Sequence, residues 1–268
     1  MGCARVSTGN IATMSVIHPA AAEGFTRGAD TYVRGRPDFP PAALDWLRGD
    51  LGLGPGRMAV DLGAGTGKFT RLLAQTGADV VAVEPVAAML SHLARDLPEV
   101  EAIQGDARRM PLANGIADAV TCGQAFHWFA NREALSEIHR VLKPGGVLGL
   151  IWNIRDESVD WVRKLTGIMM PYEGDAPRYY NGEWRKVFPA PGFGELRERE
   201  FAHAHLGPAE QVIVQRVASV SFIAALDDAT RNGVLDEVRA LIEQTPALAG
   251  RAEVSVPYLT RAYWCRSR

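Results

Sequence analysis

Val60-Asp61-Leu62-Gly63-Ala64-Gly65-Thr66-Gly67-Lys68 puts three glycines directly behind an acid. Apolar residues precede this run and a helical pattern follows it, so the glycines can bring the backbone close to a ligand at a helix N-terminus. The spacing narrows the choice of ligand. A dinucleotide fingerprint needs its third glycine where Lys68 stands, and a phosphate-binding loop would end in Gly-Lys-Ser/Thr, which is absent here. Asp61 suits an ammonium group better than a pyrophosphate. Taken alone, the run is also compatible with a plain tight turn between strand and helix.

Two more acids fall at the ends of later strands. Glu84 closes a second apolar run, where a carboxylate can accept both hydroxyls of a ribose lying across the sheet edge. Pro85 turns the chain, and Met89 either lies on the face of a purine base or packs in the core. Asp106, with the backbone N–H of Ala107, can hold the amino edge of such a base, or Asp106 simply caps a turn. The three acids in series favour a nucleoside-bearing ligand over three unrelated structural roles.

These residues need a scaffold that brings strand ends together. From Arg57 to Asn153 strands alternate with helices, the pattern of a parallel sheet covered on both faces. The strands are Met58–Asp61, Asp79–Glu84, Glu101–Gln104, Ala117–Cys122 and Val147–Trp152. The intervening helices begin near Gly67, carry Met89, Leu90, Leu93 and Leu97, and run over Arg132–Leu142 until Pro144-Gly145-Gly146 stops the last. Before this core, Pro40-Pro41 opens a helix with Leu44, Leu47 and Leu51 inward. After it, residues 154–190 read as a lid of one or two helices rich in Trp, Tyr and Arg. The tail adds a strand at Glu195–His205, helices over Ala209–Glu243 and a strand at Glu253–Cys265, in which Pro257 predicts an edge position or a bulge. His203 and His205 alternate on one face of a strand, a pattern that does not call for a metal.

Composition sets outer limits. The 268 residues are 47% hydrophobic and 22% charged, which excludes disorder as a general description. A net charge of -2 leaves no electrostatic footprint for nucleic acid or an anionic membrane, so the expected partner is a small molecule. Cys3, Cys122 and Cys265 are too few and too scattered for a disulfide framework or a zinc site, and they fit a reducing cytoplasm. No apolar run has membrane-spanning length. Residues 1–17 read as a flexible leader, with Met14 an alternative start, and residues 18–268 as a single domain.

The glycine loop Asp61–Gly67, Glu84, Gly105-Asp106 and the Leu142-Lys143-Pro144-Gly145-Gly146 turn, in this order, resemble the class I S-adenosylmethionine-dependent methyltransferases. Ala29-Asp30-Thr31-Tyr32, Arg36-Pro37-Asp38-Phe39-Pro40 and Gln124-Ala125-Phe126-His127-Trp128-Phe129 are similar to the trans-aconitate methyltransferase-like subgroup. The resemblance implies an α/β, Rossmann-like, seven-stranded sheet in the order 3-2-1-4-5-7-6, the seventh strand antiparallel, with helices on both faces. It implies S-adenosyl-L-methionine bound over residues 57–153 by Asp61, Gly63, Ala64, Gly65, Gly67, Glu84, Pro85, Met89, Asp106, Ala107, Gln124 and Tyr32. Arg36, His127, Trp128 and Asn153 then face a small-molecule acceptor, whose reacting atom is a carboxylate or a hydroxyl oxygen. His127 is the candidate general base, or else one member of an aromatic cluster with Phe126, Trp128 and Phe129 that packs or hydrogen-bonds the lid. Arg36, Arg155, Arg178 and Arg185 are the cations expected near the mouth. A regulatory module that binds the cofactor without catalysis is the alternative, and a nicotinamide-dependent oxidoreductase is disfavoured by the glycine spacing.

Overall fold

The structure is a computed structural model that describes residues 35–175 and 177–268. Tyr32, the Ala29–Thr31 motif, Cys3 and the leader lie outside the described residues. Seven strands form one sheet in the order β3-β2-β1-β4-β5-β7-β6. They are β1 Met58–Leu62, β2 Asp79–Glu84, β3 Glu101–Gln104, β4 Ala117–Gly123, β5 Leu142–Arg155, β6 Arg197–Gly207 and β7 Val254–Arg266. The first five pair in parallel, while β7 runs antiparallel between β5 and β6. The expected order and the antiparallel seventh strand are both present.

Alternation along the central strands builds two cores. Val60, Leu62, Val81, Val83, Val120, Leu148 and Leu150 point to one face, where helix α4 (Arg132–Val141) supplies Leu135 and Ile138 and the later segment supplies Trp184. On the other face, α1 (Ala43–Gly49) and α2 (Lys68–Ala74) bring Trp46, Leu47, Phe69, Leu72 and Leu73 against Ala59, Ala119 and Ile151. Helix α3 (Ala87–Asp96) adds Leu93 there, against Ala82, Leu97 and Val100. Parallel strands buried on both faces need such near-continuous apolar runs, which is why they stand out in the sequence.

The second half differs from expectation in three places. Helix α4 stops at Val141, and the chain is already in β5 at Leu142. Proline disfavours helical backbone in the residue before it, and Gly145 sits at φ 76°, so the Pro-Gly-Gly turn falls inside the strand's entry rather than ending the helix. The expected lid is divided. Trp184 and its neighbours pack on the main core, whereas α5 (Asp160–Met169) joins a π-helical run over Glu210–Gln215, helix α6 (Asp228–Gln244) and the start of β7 in a separate cap core. Finally, β7 is an interior strand. Its Pro257 lies just past Arg155↔Tyr258, the last β5 pair, where only its carbonyl is used, by Asp156 N–H at 3.1 Å. The edge strand on this side of the sheet is β6, which carries His203 and His205.

Candidate functional site

At the carboxyl ends of β1, β4 and β5 two cavities lie side by side. The smaller, about 490 Å³, is lined by the glycine loop (Gly63, Ala64, Gly65, Thr66), with Lys68, Phe69, Pro37, Phe39 and Gly123 around it. Gly63 is in the left-handed region at φ 74°, and a Cβ there would lie 2.6 Å from the Cβ of Ala125. Gly67, at φ 86°, faces Leu93 at a similar approach of 3.0 Å. A larger residue would clash with Ala125 at Gly63 and crowd Leu93 at Gly67, and both would be strained in the left-handed backbone, so packing adds to conformation in favouring glycine.

The loop is held from below by Glu84. Its Oε2 accepts from Gly65 N–H and its Oε1 from Val86 N–H, both at 2.9 Å. Burial raises the carboxyl's pKa, and these two amide bonds oppose the rise. Each oxygen retains lone-pair capacity, so ribose hydroxyls can add to the set without displacing an amide. Asp61 is fully buried, with Oδ2 accepting from the Thr70 hydroxyl at 2.6 Å. Its Oδ1 and the Thr66 hydroxyl have no hydrogen-bond partner among the described residues. Burial pushes the Asp61 carboxyl up to about 7; the Thr70 bond opposes this and the Glu84 charge adds to it. An acid left half-satisfied in a dry site is what an incoming ammonium group would complete. The residues present therefore fit the amino-acid end of S-adenosylmethionine.

The larger cavity, about 680 Å³, holds four guanidiniums, Arg36, Arg155, Arg178 and Arg216, together with His127, Trp128, Tyr179, Tyr180 and Tyr258. Among the described residues, no Asp or Glu lines it. The cations perturb one another. Arg216 is pushed down to about 10, first by burial and then by Arg36. Arg178 is lowered by burial and by Arg155 and Arg216, against the pull of Glu173 at 4.0 Å. Arg155, itself buried, reaches the Thr166 hydroxyl at 3.4 Å and the Met169 sulfur at 3.7 Å with its guanidinium. His127 accepts at Nδ1 from the Trp152 indole N–H at 3.1 Å. Burial, then Arg178 and Arg36, lower its pKa to about 3. It is neutral near pH 7 and too weak a base there to draw a proton from a hydroxyl.

Arg36, Gln124, Asn153 and Arg216 line both cavities and form the wall between them. Gln124 is the one non-glycine described residue at positive φ, 61°. Its N–H donates to Ile151 O at 2.8 Å and its Nε2 to Asn153 O at 3.0 Å, which hold the strained turn in place.

Of the residues singled out in the sequence, Gly63, Ala64, Gly65, Gln124, Arg36, His127, Trp128 and Asn153 come together here. Asn153 differs in its use. Its side chain donates to Asp38 O at 3.0 Å and accepts from the Thr260 hydroxyl at 2.6 Å, so it latches the segment before α1 to β7 while lining both cavities with its second N–H and second lone pair unused. Asp61, Gly67, Glu84, Met89, Pro85, Asp106 and Ala107 line neither cavity, with Asp61 and Glu84 buried behind the loop. Met89 is buried, its sulfur 3.9 Å from a Cβ built on Gly65, and Asp106 caps its own turn by accepting from Arg108 N–H at 2.8 Å. Arg185 is outside altogether, paired with Glu198 at 2.7 Å and lying over the Tyr263 ring. Arg216 takes its place, from a tail helix whose spacing in the sequence carries no signal of it. His203 donates to Asp38 O at 2.7 Å, and no metal-binding cluster occurs among the described residues.

Residues 60–150 match the family described as "Methyltransferase domain". Over 236 residues the chain is 40% identical to an uncharacterised methyltransferase of Mycobacterium tuberculosis, covering 88% of this chain and 92% of that one. An uncharacterised methyltransferase-like protein of Schizosaccharomyces pombe is 36% identical over 240 residues, 89% and 93% of the two chains. A solved structure described as a type II methyltransferase, from Anaeromyxobacter dehalogenans, superposes with a TM-score of 0.67 at 25% identity, covering 87% of this chain and 97% of that one. None of the described helices is long and apolar enough to cross a membrane.

Proposed function

Because the chain belongs to the class I S-adenosylmethionine-dependent methyltransferases, we propose that it methylates a carboxylate oxygen of a small acidic acceptor. The supporting observation is the larger cavity: four arginines, no acid among its described lining, and a wall shared with the glycine-loop cavity. When bound, the cofactor supplies a methyl group on a cationic sulfur, which a carboxylate oxygen takes without losing a proton. Asp61 would hold the ammonium group, the glycine loop would approach the cofactor closely, and Glu84 would receive the ribose. Met89 and the Asp106-Ala107 turn are assigned to the base.

The work left to the protein is alignment. Orientation of two reactants removes roughly 7–11 kcal/mol of barrier, enough to make a dedicated base unnecessary. Arg36 and Arg216, on the shared wall, orient the reacting carboxylate; Arg suits that task because its planar fork binds both carboxylate oxygens at once. Trp128 and the tyrosines close the sides and exclude water. The resemblance to trans-aconitate methyltransferase-like proteins supports the same acceptor chemistry.

Incubating the protein with S-adenosylmethionine and a pool of small organic acids, alcohols and amines tests this reading, with mass spectrometry reporting the added methyl. Methyl esters of acids are the expected products. Arg216→Met should lower kcat/KM for such an acid at least roughly tenfold, the loss of one charge-assisted contact. Methylation confined to alcohols or amines refutes the acceptor assignment.

A further inference from the structure

We propose that Trp152 is a positioning residue: its indole N–H locks His127 in the Nε2–H form, so that the chamber presents a fixed hydrogen-bond donor and favours anionic oxygens over hydroxyl groups. The lock follows from the donor inventory of the two rings. An indole nitrogen can only donate, so the His127 Nδ1 that meets it at 3.1 Å must offer a lone pair. A neutral imidazole with a lone pair on Nδ1 carries its hydrogen on Nε2.

Both rings are held by their neighbours. Trp152 is fully buried, its ring centroid 4.6 Å from that of Trp184 and 5.2 Å from that of Tyr179. His127 lies 5.2 Å from Trp128 and 6.4 Å from Trp152, centroid to centroid. The other two states of the imidazole are each suppressed. Protonation would break the Trp152 bond and add a fifth cation to Arg36, Arg155, Arg178 and Arg216, with no carboxylate among the described lining residues to offset it. The Nδ1–H form would set two donors against each other and leave a buried indole N–H without an acceptor.

A hydroxyl acceptor gives up its proton when methylated, and neither an Nε2–H donor nor a guanidinium can take that proton. A carboxylate brings no proton and gains a hydrogen bond from the same group. The selectivity half of the inference rests on the acceptor proposed above; the tautomer half does not.

The test uses the full chain labelled with ¹⁵N-histidine and no acceptor. Multiple-bond proton–nitrogen spectra between about pH 5 and 8, with His127→Asn to assign the signals, report which ring nitrogen carries hydrogen. The expected result is a pyrrole-type Nε2 and a pyridine-type Nδ1 that do not change over this range. A hydrogen on Nδ1, or a titration within the range, overturns the lock. Trp152→Phe keeps a ring in the core but removes the donor, and should give a mixture of tautomers with a raised midpoint; a single unchanged Nε2–H form overturns the role of Trp152. If that variant does not fold, the Trp152 indole resonance must still move in His127→Asn, and its failure to move counts against the contact. A wild-type protein that methylates hydroxyl groups while His127 keeps its Nε2–H form would sink the acceptor assignment and the selectivity together, and leave the lock standing.

Discussion

Replacing Asp61 with Asn should stabilise the ligand-free protein above neutral pH while weakening its hold on the cofactor. Asp61 is fully buried, with its carboxyl pushed up to about 7 by burial. In the unfolded chain an Asp titrates near 3.9. Below that value both states are protonated and the residue costs nothing. Between pH 4 and 7 the unfolded chain ionises while the folded one still holds its proton, so stability falls by about 1.4 kcal/mol per pH unit. The penalty levels off near about 4 kcal/mol above pH 7. Asparagine keeps the shape and an oxygen for the Thr70 hydroxyl, but carries no charge to desolvate. Thermal melts of both proteins across this range should nearly coincide at pH 4 and diverge as pH rises, the variant melting higher. Calorimetric titration with S-adenosylhomocysteine at pH 7.5 should show the opposite ranking, with binding to the variant roughly 10–100-fold weaker. A melting difference that stays constant with pH would refute the reasoning, since it would mean that Asp61 is not the group being ionised.

Glu84→Gln leaves Gly65 N–H or Val86 N–H without an acceptor; about 1–3 kcal/mol of stability and at least roughly tenfold in S-adenosylhomocysteine affinity should be lost, read by denaturant melts and calorimetry. Asp118 is the opposite case to Asp61. Burial favours its neutral form, but Lys143, the Met58 N–H and Arg57 outweigh that and lower it to about 2. Its stabilisation is present above the unfolded value near 3.9 and is lost as pH falls through 2, so Asp118→Asn should cost about 2 kcal/mol at pH 7, about half of that at pH 3 and little below pH 2 in urea melts. Residues 160–180 and 36–39 should gain protection from hydrogen exchange when S-adenosylhomocysteine binds, because they flank the shared wall; protection confined to Gly63–Gly67 would dissociate the cap from the cofactor site.

The sheet is legible in the sequence because β1, β2, β4 and β5 carry apolar runs, each closed by a turn residue or an acid, and such runs have few other stable uses, whereas the short, half-exposed β3 is marked mainly by the Gly105-Asp106 that follows it. The glycine loop is legible for the same local reason: Gly63 and Gly67 are needed where a Cβ would strike Ala125 or Leu93. What the sequence hides is non-local. Arg216 enters the chamber from a helix far along the chain, and Arg185, which looks equivalent, is taken by Glu198 and the Tyr263 ring. The latch that Asn153 makes with Thr260 and Asp38 across the sheet has no signal in the sequence around it. The division of the lid between two cores depends on β7, whose position beside β5 no periodicity in residues 154–190 can announce.

Most of the molecule obeys simple rules: Asn131 caps α4 through Ala134 N–H, Asp227 caps α6 through Thr230 N–H, and the strands alternate as their faces require. The exceptions cluster at the carboxyl end of the sheet. A left-handed backbone at Gln124, a neutral histidine among cations and four guanidiniums without a carboxylate among the described lining residues all border the same pair of cavities, and a half-satisfied buried acid, Asp61, lies in β1 just before the glycine loop that lines one of them. Each exception lowers stability on its own, and local rule-breaking of this kind concentrates where function demands it. Their signs are complementary to one pair of ligands. The acid side asks for a cation, the arginine side asks for an anion, and the wall of Gln124, Arg36 and Arg216 between them is where a methyl group would pass from one to the other.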